Sequence, residues 1–340
     1  MLDTSICPPG ADLLAALADA ARPEDTGRPI DGSVTRLLAS GAGDLTGPDL
    51  VRALIAVAEA NLPLARLYEG HVNAVRLIHL LGGDPPAPGI LHGVWGADGT
   101  APVAARGRRL SGAKRYCSGL GSVARAVVTV GQGGECRLAV VDVSDAARHR
   151  PGTWAMQGMR ATLSGDCDLT GLRADWLGGP GDYFREPSFL GGVWRIAACQ
   201  VGGTLGLLGA ARDWLATQGR LGADAQVARL SPLVARAMAA CGLVERAAAV
   251  ADGPAGTADP DRAVALSLQA RLLTEDLAQD AVAGVERSVG LAHFAEGSQT
   301  GRIARDLATY CRQAARDAFE QRAGTIALGW HGPLSGLWHG

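Results

Sequence analysis

Apolar residues recur along the chain with two different periods, and the changes of period divide it into three parts. In residues 11–83 the spacing is helical. ADLLAALADAA opens the run, and in PDLVRALIAVAEA the residues Val51, Leu54, Ile55 and Ala58 fall on one face. Thr46 followed by Asp49 has the spacing of a capping box ahead of that helix. LARLYEGHVNAVRLIHLLGG predicts another helix, stopped by Gly82 and Gly83. DPPAPG (84–89) breaks the pattern, because proline fixes φ and removes backbone donors. In residues 90–185 the apolar runs shorten and become β-branched. ARAVVTV and CRLAVVDV flank GQGGE as two strands flank a turn, and short runs continue through TWAMQGMRATLSGDCDLTGLRADWLG. This part reads as an antiparallel barrel or sandwich. Beyond Pro187 the helical period returns in four long segments, 191–220, 231–253, 259–290 and 298–324. The predicted fold is α+β: an N-terminal helical domain (1–84), a central β-domain (85–186) and a C-terminal four-helix bundle (187–330). The chain contains no internal repeat or low-complexity segment.

Composition agrees with several domains. A chain of 340 residues and 34.8 kDa exceeds what one core comfortably holds. With 47% hydrophobic and 19% charged residues it is globular. Its 32 basic and 34 acidic residues leave a net charge of −2, without the basic excess expected of a nucleic-acid or acidic-membrane binder. Lys114 is the sole lysine, which reads as codon bias before it reads as function. No unbroken run of about 18 apolar residues occurs, so no membrane span is expected. MLDTSICPPGADLL lacks a basic start and a long apolar core, so a secretory signal is not expected either. The seven cysteines (Cys7, Cys117, Cys136, Cys167, Cys199, Cys241 and Cys311) are scattered and never form CxxC. They predict reduced thiols in a cytoplasmic protein, with neither a disulfide frame nor a zinc site.

Several constellations carry candidate chemistry. Gly119, Gly121 and Ala124 spell GxGxxA, but a strand follows where dinucleotide binding needs a helix, so the motif reads as a glycine turn between strands. Gly202, Gly203, Gly206 and Gly209 interrupt a helix at a cost of about 1 kcal/mol each against alanine. Close approach of a second helix or a ligand would offset that cost. In YEGHVNA, Glu69 and Asn73 are four residues apart and share a face, while His71 points elsewhere. Glu69 and His71 are candidate general acid–base groups; the alternative is a satisfied polar patch between helices. Arg302, Arg305, Asp306, Arg312, Arg316 and Asp317 alternate in charge, as a solvated face with i, i+4 pairs does, or as a phosphate clamp does. No histidine pair sits at i, i+4, so no metal site is predicted. There is no GxSxG elbow and no P-loop.

The order helices, strands, helices resembles the acyl-CoA dehydrogenase superfamily, and particular segments carry the likeness across roughly residues 45–320. LSGAKRYCSGLGSVARAVV resembles the family's L-x-G-x-K stretch with its following aromatic, polar turn and strand. GMRATLSGDCDLTGLRAD resembles its G-x-R-x-S/T segment. WRIAACQVGGTLGLLGAARDWLATQGR is similar to the first long C-terminal helix, and RSVGLAHFAEGSQTGRIARDLATY to the closing R-x-x-R-D region. YEGHVNA and RYCSGLG also look like a short, divergent bacterial subgroup.

The resemblance implies FAD, touched by Tyr116, Cys117, Ser118 and Gly119, with Arg305 of the R-D pair nearby. It implies a homodimer or homotetramer and a small acyl substrate, oxidised across its α,β bond with hydride passing to the flavin. Four departures stand beside it. The flavin-binding T-E-P-x-x-G-S-D is replaced by GVWGADGT (93–100), where Trp95, Asp98 and Thr100 are the substitutes. The usual catalytic glutamate, nine residues after the arginine of the R-D pair, corresponds to Ala314, with Gln313 beside it. Neither removes a proton, so Glu69, His71 or His293 becomes the candidate base. The R-x-x-F-G that reaches FAD across a subunit contact is reduced to Gly219-Arg220-Leu221-Gly222, leaving Arg220 as its candidate. The N-terminal helical domain is also short. The alternative readings are a flavin-dependent monooxygenase of the same fold, or a non-catalytic relative acting as a scaffold. Cys117, beside the flavin turn, is either redox-active or a small buried residue.

Overall fold

The computed structural model describes residues 8–312 and 315–339. Four helices form the N-terminal layer: α1 (Ala11–Asp25), α2 (Asp31–Ala39), α3 (Gly47–Ala60) and α4 (Leu62–Leu80). The capping box does not form. Thr46 sits at the N-cap of α3 without a side-chain cap bond, and Asp49 instead pairs with Arg52 at 3.4 Å in solvent. The working cap is Asn61, whose side chain accepts from the Leu64 backbone N–H (3.2 Å) to start α4. The same carboxamide donates to buried Glu24 (2.8 Å), which also accepts from Ser33 (2.6 Å). One buried carboxylate thus joins α1, α2 and the α3–α4 junction.

The central part has nine strands: β1 (His92–Trp95), β2 (Ala104–Arg106), β3 (Arg109–Ser111), β4 (Ala113–Lys114), β5 (Arg125–Val130), β6 (Arg137–Asp142), β7 (His149–Arg150), β8 (Asp166–Asp168) and β9 (Asp175–Leu177). They make a four-stranded sheet ordered β1-β5-β6-β9, a three-stranded sheet β4-β8-β7 and the pair β2-β3. The predicted hairpin is present, with Ala126 opposite Val141 and Val130 opposite Arg137. The expectation of a purely antiparallel domain needs one correction. β1 runs parallel to β5, Trp95 opposite Val128, because the chain passes through β2, β3 and β4 between them and re-enters in the same direction. Lys114 is interior. Its ammonium donates to Asp98, to Thr129 Oγ1 (2.6 Å) and to the Gly96 carbonyl (3.3 Å), tying β4 to β5 and to the loop after β1.

The C-terminal part contains α5 (Trp194–Thr217), α6 (Asp224–Ala251), the short α7 (Pro254–Ala258), α8 (Pro260–Val289), α9 (Gln299–Tyr310), α10 (Arg316–Leu328) and α11 (Gly336–His339). The single helix read over 298–324 is two helices, with Ala315 at φ 69 just before α10. By length and composition α6 could cross a membrane, although charged residues interrupt its apolar run; it packs against α5 and α8.

The glycines of α5 divide by position. A Cβ on Gly202 would overlap the Ile55 carbonyl of α3, and one on Gly206 the Glu59 carbonyl. Gly209 faces open space. The close approach of a second helix is therefore real for the first two and not for the third. Gly206→Val is expected to lower the denaturant midpoint steeply, because backbone rather than a flexible side chain must move. Gly209→Ala is expected to raise stability by about 0.5–1 kcal/mol. Equal effects in urea unfolding would contradict this packing.

Candidate active site

The three parts of the chain enclose a cavity of about 440 Å³, within the ~300–1,000 Å³ range of small-molecule sites. α4 contributes Glu69 and Asn73, the loop after β1 contributes Ala97, and the segment before α5 contributes Tyr183 and Phe189. α8 and α10 close it with Arg271 and Phe319. The one-turn spacing of Glu69 and Asn73 explains why both reach it. Glu69 is buried and ion-paired with Arg66. A second, polar crevice of about 470 Å³ lies between α1 and the start of α9, lined by Arg22, Asp25 and Arg302 among others.

His71 turns away from the cavity, as its position two residues from Glu69 requires. Its Nδ1 accepts from the His92 backbone N–H (3.1 Å), docking α4 on β1. Burial, and secondarily the neighbouring His92, push it down to about 4, so the ring is neutral. His293 lies buried in the turn between α8 and α9, bonded through Nδ1 to Thr300 Oγ1 (3.0 Å). It is not among the residues lining the cavity. Of the three acid–base candidates, Glu69 alone faces this space.

The segments aligned with the flavin motifs are hydrogen-bonded to each other. Trp95 Nε1 donates to the Ser118 carbonyl (3.1 Å), Arg115 N–H to the Ala97 carbonyl (2.9 Å) and Gly99 N–H to the Ala113 carbonyl (3.0 Å). Tyr116 stands exposed at φ 55, under the Arg115 guanidinium (5.1 Å) and edge-on to Trp154 (6.2 Å). Cys117 is fully buried, and burial pushes its thiol well above the ordinary range, as in the small-buried-residue reading. The Ser118 hydroxyl accepts from Ser164 (3.2 Å), and Gly119 makes the turn at φ 82. Thr100 is exposed in the adjoining loop. Asp98 is tied to Lys114 and the Val103 N–H (3.2 Å).

Arg305, on α9, faces Asp25 at 3.7 Å, and its carbonyl lies against Gly158, which accepts from the Trp154 indole. Arg220 is exposed just beyond α5. Gln313 and Ala314 lie outside the described residues. The alternating charges of the C-terminal region are not all a solvated face: Arg302 and Asp306 form a buried pair (3.4 Å), and Asp306 also accepts from the Met159 N–H (2.5 Å). Burial pushes Asp306 up to about 6.

Sequence reasoning missed Arg271. It is 1% exposed, yet none of its guanidinium nitrogens has a hydrogen-bond partner. Glu275 is 4.0 Å away and is engaged by Arg316 at 3.2 Å. The available signal was helical phase: Arg271 and Glu275 fall on the same stripe of α8 as buried Val264, Leu268 and Ala278.

The chain resembles solved structures over nearly its whole length. FMN-bound TdsC from Paenibacillus sp. A11-2 has a TM-score of 0.79 at 17% identity, covering 96% of this chain and 99% of that one. TdsC is described as a dibenzothiophene monooxygenase, and a further structure holds it with FMN and indole. Nitrososynthase from Micromonospora carbonacea var. africana has a TM-score of 0.74 at 21% identity, covering 95% and 98%. The HsaA monooxygenase from M. tuberculosis has 0.71 at 16%, covering 94% and 97%. No family model matches the chain, and no curated protein sequence matches it significantly. The fold is acyl-CoA dehydrogenase-like, as the sequence resemblance implied.

His71 makes stability pH-dependent with a definite sign. It is neutral in the folded state down to about pH 4 and takes up a proton near 6.5 when unfolded. Its contribution is therefore fully present above pH 6.5 and lost as pH falls toward 4, by about 3 kcal/mol at the limit. Asp306, raised by burial, acts with the opposite sign. His71→Asn keeps an acceptor for His92 without the titration. Its melting temperature is expected to drop less than the wild type's between pH 7.5 and pH 5. Parallel curves would refute the assignment.

Proposed function

We propose that the protein is a flavin-dependent monooxygenase that uses reduced flavin and dioxygen on a small molecule held in the interdomain cavity. One observation carries this reading. The single carboxylate among the described residues lining the cavity, Glu69, is held by Arg66, and the sequence has Ala314 where family dehydrogenases keep their base. A dehydrogenase needs a free base for the α-proton; an oxygenase of this kind does not. The names of TdsC and HsaA support the same choice.

The residues fit a flavin. The hydrogen-bonded segments 95–100 and 114–119 reach the cavity wall at Ala97, and Tyr116, exposed, meets Trp154 edge-on. Tyr116, Ser118 and Gly119 would contact the ring system. Arg305, and Arg220 from a neighbouring subunit, would meet the phosphates. When bound, reduced flavin supplies the electrons that activate dioxygen. Tyr183, Phe189 and Phe319 exclude water from the substrate's ring, and the Asn73 carboxamide offers it a donor and an acceptor. FAD is the cofactor implied by the resemblance, and FMN, as in TdsC, is its competitor; titration with each decides.

Acyl-thioester dehydrogenation is the second reading, favoured by the inward face of Glu69. The experiment measures oxygen uptake with added reduced FMN or FAD and indole as the first probe, with mass spectrometry for oxygen incorporated from dioxygen. Flavin-dependent incorporation is expected, with Glu69→Gln retaining turnover. Anaerobic bleaching of bound flavin by an acyl-CoA, abolished in Glu69→Gln, would overturn the oxygenase reading. A protein that takes up neither flavin would overturn both and favour a scaffold.

A homodimer or homotetramer in the cytoplasm belongs to the same proposal. Met238 on α6 is 69% exposed, and Val227 and Val234 are exposed with it. The six cysteines of the described residues are all free. Met238→Glu is expected to reduce the mass seen by light scattering after gel filtration. A wild type that elutes as a monomer would refute this interface.

A further inference from the structure

We infer that the cavity binds a small aromatic carboxylate whose carboxylate pairs with Arg271. The inference rests on the reading of this cavity as the active site and names its substrate class. A guanidinium at 1% exposure with no hydrogen bond, and only a 4.0 Å ion pair to Glu275, is the observation that calls for a ligand. Its ion pair with Glu275 is long and shared. Arg316 draws on Glu275 (3.2 Å), Asp276 (2.8 Å) and Glu320 (2.7 Å), whereas Glu275 approaches Arg271 only to 4.0 Å. On this wall the Arg271 N–H groups are thus left without hydrogen-bond acceptors. Glu69, paired with Arg66, also lines the cavity.

Geometry narrows the anion. One face of the Arg271 guanidinium lies over the Phe319 ring at 4.6 Å. That contact covers one side of the group, and its N–H donors remain without hydrogen bonds. A guanidinium edge pairs with a carboxylate through two parallel N–H···O bonds. The body of the ligand is set by aromatic side chains. Tyr183 and Phe189 line the cavity and pack edge-to-face at 5.0 Å, a geometry that extends readily to a third ring. Asn73 and Glu69, also on the lining, accept hydrogen bonds, so a hydroxyl or amino substituent on the ring finds an acceptor. A benzoate with such a substituent satisfies each wall.

The test is isothermal titration of the full-length protein with benzoate and with benzamide, its neutral counterpart of similar shape. Benzoate is expected to bind at least about tenfold more tightly than benzamide. Arg271→Met is expected to lose at least about tenfold in benzoate affinity while keeping FMN affinity within about twofold. Arg271→Lys, which keeps the charge without the fork, should fall between. Circular dichroism melting guards against misfolding, since Arg271→Met takes one partner from the buried Glu275. Failure of wild type to bind benzoate, or equal binding by Arg271→Met, would overturn the inference. Loss of FMN binding with benzoate affinity intact would also overturn it, assigning Arg271 to the flavin instead. Benzoate binding in a protein without flavin chemistry would leave the inference standing and remove the monooxygenase reading.

Discussion

Backbone-to-backbone contact between α3 and α5 governs how the rest of the molecule is arranged. Gly202 and Gly206 let the carbonyls of Ile55 and Glu59 lie against α5, closer than any side chain at those positions would permit. That contact docks the N-terminal helices on the C-terminal bundle. Asn61 then carries the position of α3 into α4 and, through Glu24, into α1. α4 is thereby oriented with Glu69 and Asn73 toward the cavity and His71 toward β1. A packing constraint distant from the chemistry thus decides which polar residues of YEGHVNA face a ligand.

Interior charge is the second organising theme. Lys114 is surrounded by Asp98, Thr129 and the Gly96 carbonyl, and Arg195 meets Asp252 at 2.7 Å. Asp306 holds the loop before β8 to α9 through the Met159 N–H. In each case a polar partner compensates for lost water. Arg271 departs from the rule, which is why it stands out as a ligand-binding group rather than as part of the framework.

The alternation of helical, β-branched and again helical periods in the sequence corresponds to the three parts of the structure, and the hairpin of β5 and β6 was legible down to its turn. The L-x-G-x-K stretch pointed to the fold that the neighbouring structures share. Finer features were less legible where two local rules compete. Thr46 and Asp49 have the spacing of a capping box, but Asn61 provides a side-chain cap and Asp49 pairs with Arg52. The parallel direction of β1 was hidden because strand period carries no information about direction.

Periodicity by itself placed Val51, Leu54 and Ala58 on the buried face of α3, since burial repeats with the geometry of the helix. It also placed Glu69 and Asn73 together, because residues four apart on a helix share a face. Only the tertiary structure decided what each buried face meets. Glu69, Ala97, Phe189, Arg271 and Phe319 come from five distant segments, and no local pattern relates them. An arginine on an apolar stripe looks the same in sequence whether an acidic neighbour neutralises it or leaves its charge for a ligand, and that distinction is made by distances across the fold.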